Sequence, residues 1–207
     1  MDLQEKKAFR KQMLAKRDAL TTEYRDEADA ARTARLRQEA WFREAEVLLF
    51  YVSYRSEADT RTLLGTAFAE GKMVAVPKVM GTEMEFFRIT SMEQLKEGYR
   101  GILEPDETCE RFDEVPLSQE AWKTDALDRK GHNIVLLVPG CAFDEKGGRM
   151  GYGGGFYDRF MERYPELMRV ALAYEIQLVP EVPKEPHDKP VDVIVTETRI
   201  IRTNGEA

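Results

Sequence analysis

Two unbroken apolar runs, Val47-Leu48-Leu49-Phe50-Tyr51-Val52 and Ile134-Val135-Leu136-Leu137-Val138, constrain this chain more than any other feature. Each has the length of a strand, and neither alternates with polar residues, as expected of a strand covered on both faces. Helical periods lie between such runs. Thr60 to Glu70 has a helical period with Gly71 placed to end it, and Met73-Val74-Ala75-Val76-Pro77 follows as the next strand, which makes a βαβ unit. Glu83 to Ile89, Val170-Ala171-Leu172-Ala173 and Val193-Ile194-Val195 extend the strand list, and Gly155 to Tyr164 reads as a short helix ended by Pro165. Ser91-Met92-Glu93-Gln94 has the spacing of a capping box. Strands alternating with helices predict an α/β fold, a mostly parallel sheet with helices on both faces.

The N-terminal part is different. Residues 3–43 read as a helical pair: Phe9, Met13, Leu14 and Arg17 keep one period, Thr21 offers an N-cap, and a second helix runs from about Glu23 to Arg43. Residues 98–132, interrupted by Gly98, Gly101, Pro105, Pro116 and Gly131, are expected to be loop-rich or to contribute to a binding site. No repeat or low-complexity linker divides the chain, so residues 1–207 are expected to form a single domain with the helical pair attached.

Composition narrows the functional classes. The formal net charge of −7 argues against a general nucleic-acid binder. The charge is unevenly spread: residues 1–43 carry 11 Lys and Arg against 8 Asp and Glu, so a basic segment sits on an acidic body. That segment is either a solvated helix face or a source of cations for an anionic ligand. No apolar run reaches the roughly 18–20 residues of a membrane span, and the first residues lack the apolar core of a secretory signal. Cys109 and Cys141 cannot supply a disulfide framework, and with His132 and His187 they make a poor zinc set. A cytoplasmic protein, monomeric or weakly homo-oligomeric, with no membrane or nucleic-acid partner is expected.

The chemistry is concentrated after the second apolar run. Six glycines fall between Gly147 and Gly155, between a buried strand and a helix. Such a loop can turn several backbone N–H groups toward one point, and the helix start adds a positive dipole end. Phosphate oxygens suit it, and Arg149 can add a charge-assisted fork. Standard phosphate motifs do not fit: there is no Gly-Lys-Ser/Thr, and Phe156 stands where a dinucleotide fingerprint needs a small residue. Asp158, in the first turn of the helix, either complements the dipole or holds Mg²⁺ against phosphates.

The run from Pro139 to Asp158 resembles the signature of the 5-formyltetrahydrofolate cyclo-ligase family. Lys6-x-x-x-Arg10, Glu57-Ala58-Asp59-Thr60, Gly101-Ile102-Leu103-Glu104-Pro105, Ala171 to Tyr174 with Gln177, and His187-Asp188 resemble further family segments in the same order. The resemblance implies a fold related to the sugar-phosphate isomerase and CoA-transferase-like α/β folds. It implies an enzyme that converts 5-formyltetrahydrofolate to 5,10-methenyltetrahydrofolate with ATP as co-substrate and Mg²⁺ as cofactor. By the same resemblance Lys6, Arg10, Arg149 and Gly151, Tyr152, Gly153, Gly154, Gly155, Phe156 and Tyr157 bind ATP, and Arg149 and Tyr152 serve catalysis. Val52 and Glu57 line the folate pocket together with Tyr152 to Phe156, and Asp158 and Asp188 hold the metal. Many relatives carry two tyrosines where this chain has Phe156-Tyr157, and some have Lys at the position of Glu175. Two rivals remain: a non-catalytic nucleotide- or phosphate-binding regulator, and a sugar-phosphate isomerase using Asp144 as base.

Overall fold

A computed structural model describes residues 3–112 and 134–203. Residues 113–132 of the segment expected to be loop-rich, His132 among them, lie outside the described residues. The elements are α1 (Leu3–Asp18), α2 (Thr22–Leu36), α3 (Ala40–Arg43), β1 (Val47–Leu49), α4 (Arg61–Ala69), β2 (Met73–Met80), β3 (Glu83–Ile89), β4 (Leu95–Glu97) and β5 (Leu103–Pro105). After them come β6 (Ile134–Val138), β7 (Ala142–Phe143), β8 (Arg149–Met150), α5 (Phe156–Arg163), β9 (Met168–Leu172), β10 (Val193–Val195) and β11 (Ile200–Arg202).

The main sheet has seven strands in the order β11-β10-β9-β6-β1-β2-β3. Its five inner strands are parallel, and both edge strands run antiparallel to their neighbours. The α/β fold with a mostly parallel sheet is therefore the observed one. Leu48, Val135, Leu137, Val74 and Val193 face a layer containing Ala28 and Leu36 of α2 and Leu63, Leu64 and Ala67 of α4. Val47, Leu49, Leu136, Ala171 and Ile194 face the other side, where Phe160 and Met161 of α5 pack. Alternate residues of one run thus enter two cores, which is why β1 and β6 carry no polar positions.

Two local readings are corrected. The second helix stops at Leu36, and Ala40–Arg43 is a separate turn started by Glu39, whose carboxylate takes the Trp41 indole N–H at 2.7 Å. Ser91 makes no side-chain cap; Gln94 accepts from Thr90 N–H at 2.7 Å over a single 3₁₀ turn. Thr21 caps α2, accepting from Tyr24 N–H at 3.2 Å, and Gly71 takes φ +71° beyond α4.

The chain order fixes where a ligand can sit. From β1 the chain leaves through α4 to β2 on one side, and from β6 it leaves through α5 to β9 on the other. Connections diverge between adjacent β1 and β6, which opens a crevice outside their carboxyl ends. The loops that border it hold residues 50–60 and 139–155. Helix α1 does not lie on the sheet. Its Met13, with Phe9 and Leu14, packs on Cys141, Ala142, Met150 and Val182 around the β7–β8 hairpin, so α1 is seated over the glycine-rich loop.

Candidate active site

The glycine-rich loop is held rigidly at its base and left open at its tip. At the base, the wholly buried Asp144 carboxylate accepts from the N–H groups of Lys146 (3.0 Å), Gly148 (2.8 Å) and Val182 (2.8 Å). This overturns Asp144 as an isomerase base: its lone pairs are committed to folding the loop, and no solvent reaches it. Gln177 adds a second clamp, donating to the carbonyls of Gly140 (2.9 Å) and Cys141 (3.2 Å). At the tip, Tyr152, Gly153 and Gly154 are exposed. Gly153 has φ +95°, and a Cβ there would lie 3.5 Å from the Arg10 guanidinium carbon, so the loop needs glycine to turn under α1.

Lys6, Arg10, Met13 and Arg17 recur at helical spacing on the face of α1 turned to this loop. Lys6 and Arg17 are buried, and Lys6 pairs with Glu185 at 2.6 Å, which holds the Glu185 carboxyl below its ordinary range. Arg10 has no ion pair among the described residues, and its Nε is buried without a hydrogen-bond partner. Arg149 is buried inside the loop; it pairs with Asp158 at 2.8 Å and donates to the Pro139 carbonyl at 3.3 Å, while its Nε also lacks a partner. Guanidinium nitrogens buried without acceptors beside an open glycine loop are the arrangement an anion would complete.

The residues expected to line a folate pocket are less uniform. Glu57 lies in the loop after β1, and its Oε2 accepts from Tyr54 N–H at 2.9 Å. Burial raises the Glu57 pKa, partly offset by the nearby Tyr152 hydroxyl, the Tyr54 N–H and the charge of Arg17. Burial and the Glu57 charge push the Tyr152 hydroxyl well above the ordinary phenol range, although its ring is 46% exposed. Val52 is buried, packed with Tyr51 and Ala58 at the carboxyl end of the apolar run. Phe156 meets Tyr99 edge-on with ring centres 6.2 Å apart, and Tyr157 buries its hydroxyl without a partner beneath Arg149.

The two carboxylates expected at a metal, one on α5 and one in the loop before β10, both accept from backbone N–H groups of residues 185–189. Asp158 Oδ1 is shared by Arg149 and by Lys189 N–H at 3.1 Å, and Asp188 accepts from Glu185 N–H at 2.7 Å. Among the described residues no group of three or more His, Cys, Asp or Glu is placed to hold a metal by itself. The residue that sequence reasoning missed is Arg17, assigned there only to a helical period. It donates to Ser56 Oγ (3.0 Å), the Gly140 carbonyl (3.4 Å) and Tyr152 Oη (2.7 Å). The spacing 6, 10, 13, 17 was the available signal. Cys141 is buried with its thiol pushed up to about 11, which leaves it no nucleophilic role.

Fold and site together define an α/β protein with an open, cation-bordered glycine loop at the switch point of its central strands. Its relatives specify the class. The profile of the 5-formyltetrahydrofolate cyclo-ligase family matches residues 2–197, and the chain belongs to this family of enzymes. It is 30% identical over 190 residues to the 5-formyltetrahydrofolate cyclo-ligase of Escherichia coli K12, covering 89% of this chain and 96% of the relative. To the Mus musculus 5-formyltetrahydrofolate cyclo-ligase it is 26% identical, with 93% of each chain covered. The solved structure of Aquifex aeolicus 5,10-methenyltetrahydrofolate synthetase superposes with a TM-score of 0.79 at 32% identity, covering 98% of this chain and 94% of that one.

Proposed function

We propose that this chain cyclises 5-formyltetrahydrofolate to 5,10-methenyltetrahydrofolate at the expense of ATP and with Mg²⁺, releasing ADP and phosphate. A formamide oxygen is a poor leaving group. Attack of that oxygen on the γ-phosphorus releases ADP and converts it to a phosphate ester. N10 then bonds to the activated carbon, the carbon–oxygen bond breaks, and phosphate leaves carrying the N10 proton. The first step asks the protein for alignment and charge neutralisation rather than a strong base.

The observation that carries this reading is the Arg10 guanidinium, whose buried Nε has no hydrogen-bond partner among the described residues, seated against Gly153 in an exposed, side-chain-poor loop. In the proposal Lys6, Arg10, Arg149 and the amides of Gly151 to Tyr157 bind the triphosphate. Glu57 accepts hydrogen bonds from the pterin, and Tyr152 and Phe156 lie between the two substrates. A magnesium ion carried by nucleotide phosphates needs only one or two protein carboxylates. Asp158 suits this, since its Oδ2 has no hydrogen bond among the described residues, and Asp188 is the second candidate. When bound, Mg²⁺ supplies charge neutralisation along the triphosphate. The reaction is placed in a reducing cytoplasm, consistent with two free thiols.

Mixing the protein with 5-formyltetrahydrofolate and Mg-ATP and following methenyl-folate absorbance tests the proposal. Growth of the methenyl band with stoichiometric ADP supports it; ATP binding without turnover favours a nucleotide-binding regulator.

A further inference from the structure

The Arg17 guanidinium is the most connected charged group at the crevice, and its donors are directed at protein rather than solvent. Its side chain is 4% exposed, and its nitrogens reach Ser56 in the loop after β1, Gly140 at the end of β6 and Tyr152 at the tip of the glycine loop. Ser56 Oγ is fixed in turn by Asp18 of α1. One side chain therefore joins α1 to both loops across the switch point. Arg10, seven residues earlier on the same face, keeps a buried nitrogen without a partner, so the two cations have different tasks.

Donor chemistry adds a direction. A guanidinium has five N–H donors and no acceptor, so the contact at 2.7 Å makes Tyr152 Oη the acceptor. The phenol proton must then point away from Arg17. Ser56, whose Oγ accepts from Arg17 Nε at 3.0 Å, directly precedes Glu57, whose Oε2 accepts from Tyr54 N–H at 2.9 Å. We propose that Arg17 is a positioning residue for the folate side of the site, holding Tyr152 and, through Ser56, the loop that carries Glu57, rather than binding phosphate. This deepens the cyclo-ligase reading and rests on it for the identity of the ligand.

The test is a double-mutant cycle with two readouts. Arg17→Met, Arg17→Lys, Tyr152→Phe and Arg17→Met/Tyr152→Phe are compared in kcat and KM for both substrates and in urea unfolding. Arg17→Met is expected to lower kcat/KM for 5-formyltetrahydrofolate at least about tenfold while the ATP KM changes less than about twofold. Arg17→Lys, which keeps a donor, recovers part of the loss. Because both residues act along one chain of hydrogen bonds, the double variant is expected within about twofold of the worse single variant. Multiplying effects, or an ATP KM that rises as steeply as the folate KM, overturns the proposal. If Arg17→Met does not fold, the cycle is run with Arg17→Lys, and the same two outcomes decide. A wild-type protein that never cyclises 5-formyltetrahydrofolate sinks the functional reading alone. The urea midpoints then decide Arg17, and strictly additive shifts of Arg17 and Tyr152 variants overturn it.

Discussion

Replacing Arg149 by Met separates the two things its guanidinium does. The side chain is 3% exposed and its partner Asp158 15%, so the ion pair is largely out of water. Breaking a fully buried pair costs about 3–5 kcal/mol, because one charge stays behind unpaired. Here Asp158 keeps a hydrogen bond from Lys189 N–H at 3.1 Å and some access to solvent, and methionine retains the apolar stem. A loss of about 2 kcal/mol follows, which with an m-value near 2 kcal/mol per molar lowers the urea midpoint by about 1 M. Independently, removing a phosphate-directed cation is expected to reduce kcat/KM for ATP at least tenfold, about 1.4 kcal/mol. The double variant Arg149→Met/Asp158→Asn leaves no orphaned charge, so it should recover most of the midpoint and none of the activity. Urea titrations and the methenyl-absorbance assay on the three proteins give the answer. Full activity in Arg149→Met, or activity returning in the double variant, would refute Arg149 as a phosphate ligand and reduce it to Asp158's partner.

Glu57→Gln is expected to stabilise the protein at neutral pH while impairing folate use. The folded pKa of Glu57 is raised by burial, so the folded state binds more protons than the unfolded one between the ordinary carboxyl value and the raised one, and the penalty grows as pH rises through that window. The gain in urea midpoint should therefore be largest at pH 7 and vanish on acidification below the ordinary range; a midpoint no higher than wild type at pH 7 contradicts this. Gly153→Ala places a Cβ at φ +95° beside Arg10, which should cost about 1–2 kcal/mol and raise the ATP KM; unchanged stability and KM would show the turn to be incidental. Asp158→Asn is expected to shift the Mg²⁺ titration of activity to higher concentration, and an unaltered titration returns Asp158 to a partner of Arg149 and the α5 dipole.

The sheet was legible because burial on both faces abolishes the polar half of the strand alternation, so β1 and β6 stand out as unbroken runs. Direction was not: nothing in Glu83 to Ile89 shows that β3 runs antiparallel, since pairing direction is set by the short turn at Gly81 rather than by the strand. The end of α2 is hidden in the sequence because Ala40 and Trp41 continue the helical period past Leu36, whereas an extended backbone at Glu39 breaks it and starts a new turn. Within the site, the glycine loop and its cations were readable as local patterns. The Arg149–Asp158 pair, the Arg17–Tyr152 contact and the commitment of Asp144 to three amides were not, since each joins residues through the loop's three-dimensional path.

That path also explains how a chain with so little acid–base equipment meets the needs of the proposed phosphoryl chemistry. The switch point between β1 and β6 supplies the crevice, and its two loops bring Glu57 and the buried Arg149 to it. The further cations come from α1, which could have packed its apolar residues on the sheet as α2 does. Instead Met13 docks on the β7–β8 hairpin, and the residues at helical spacing on either side of it, Arg10 and Arg17, are carried to Gly153 and Tyr152 of the same loop. Loss of the Met13 contact should therefore release both at once. Met13→Ala, which opens a cavity under a side chain 1% exposed, is expected to destabilise by about 2–5 kcal/mol and to raise the KM for ATP and folate together, whereas Arg10 and Arg17 variants raise them separately.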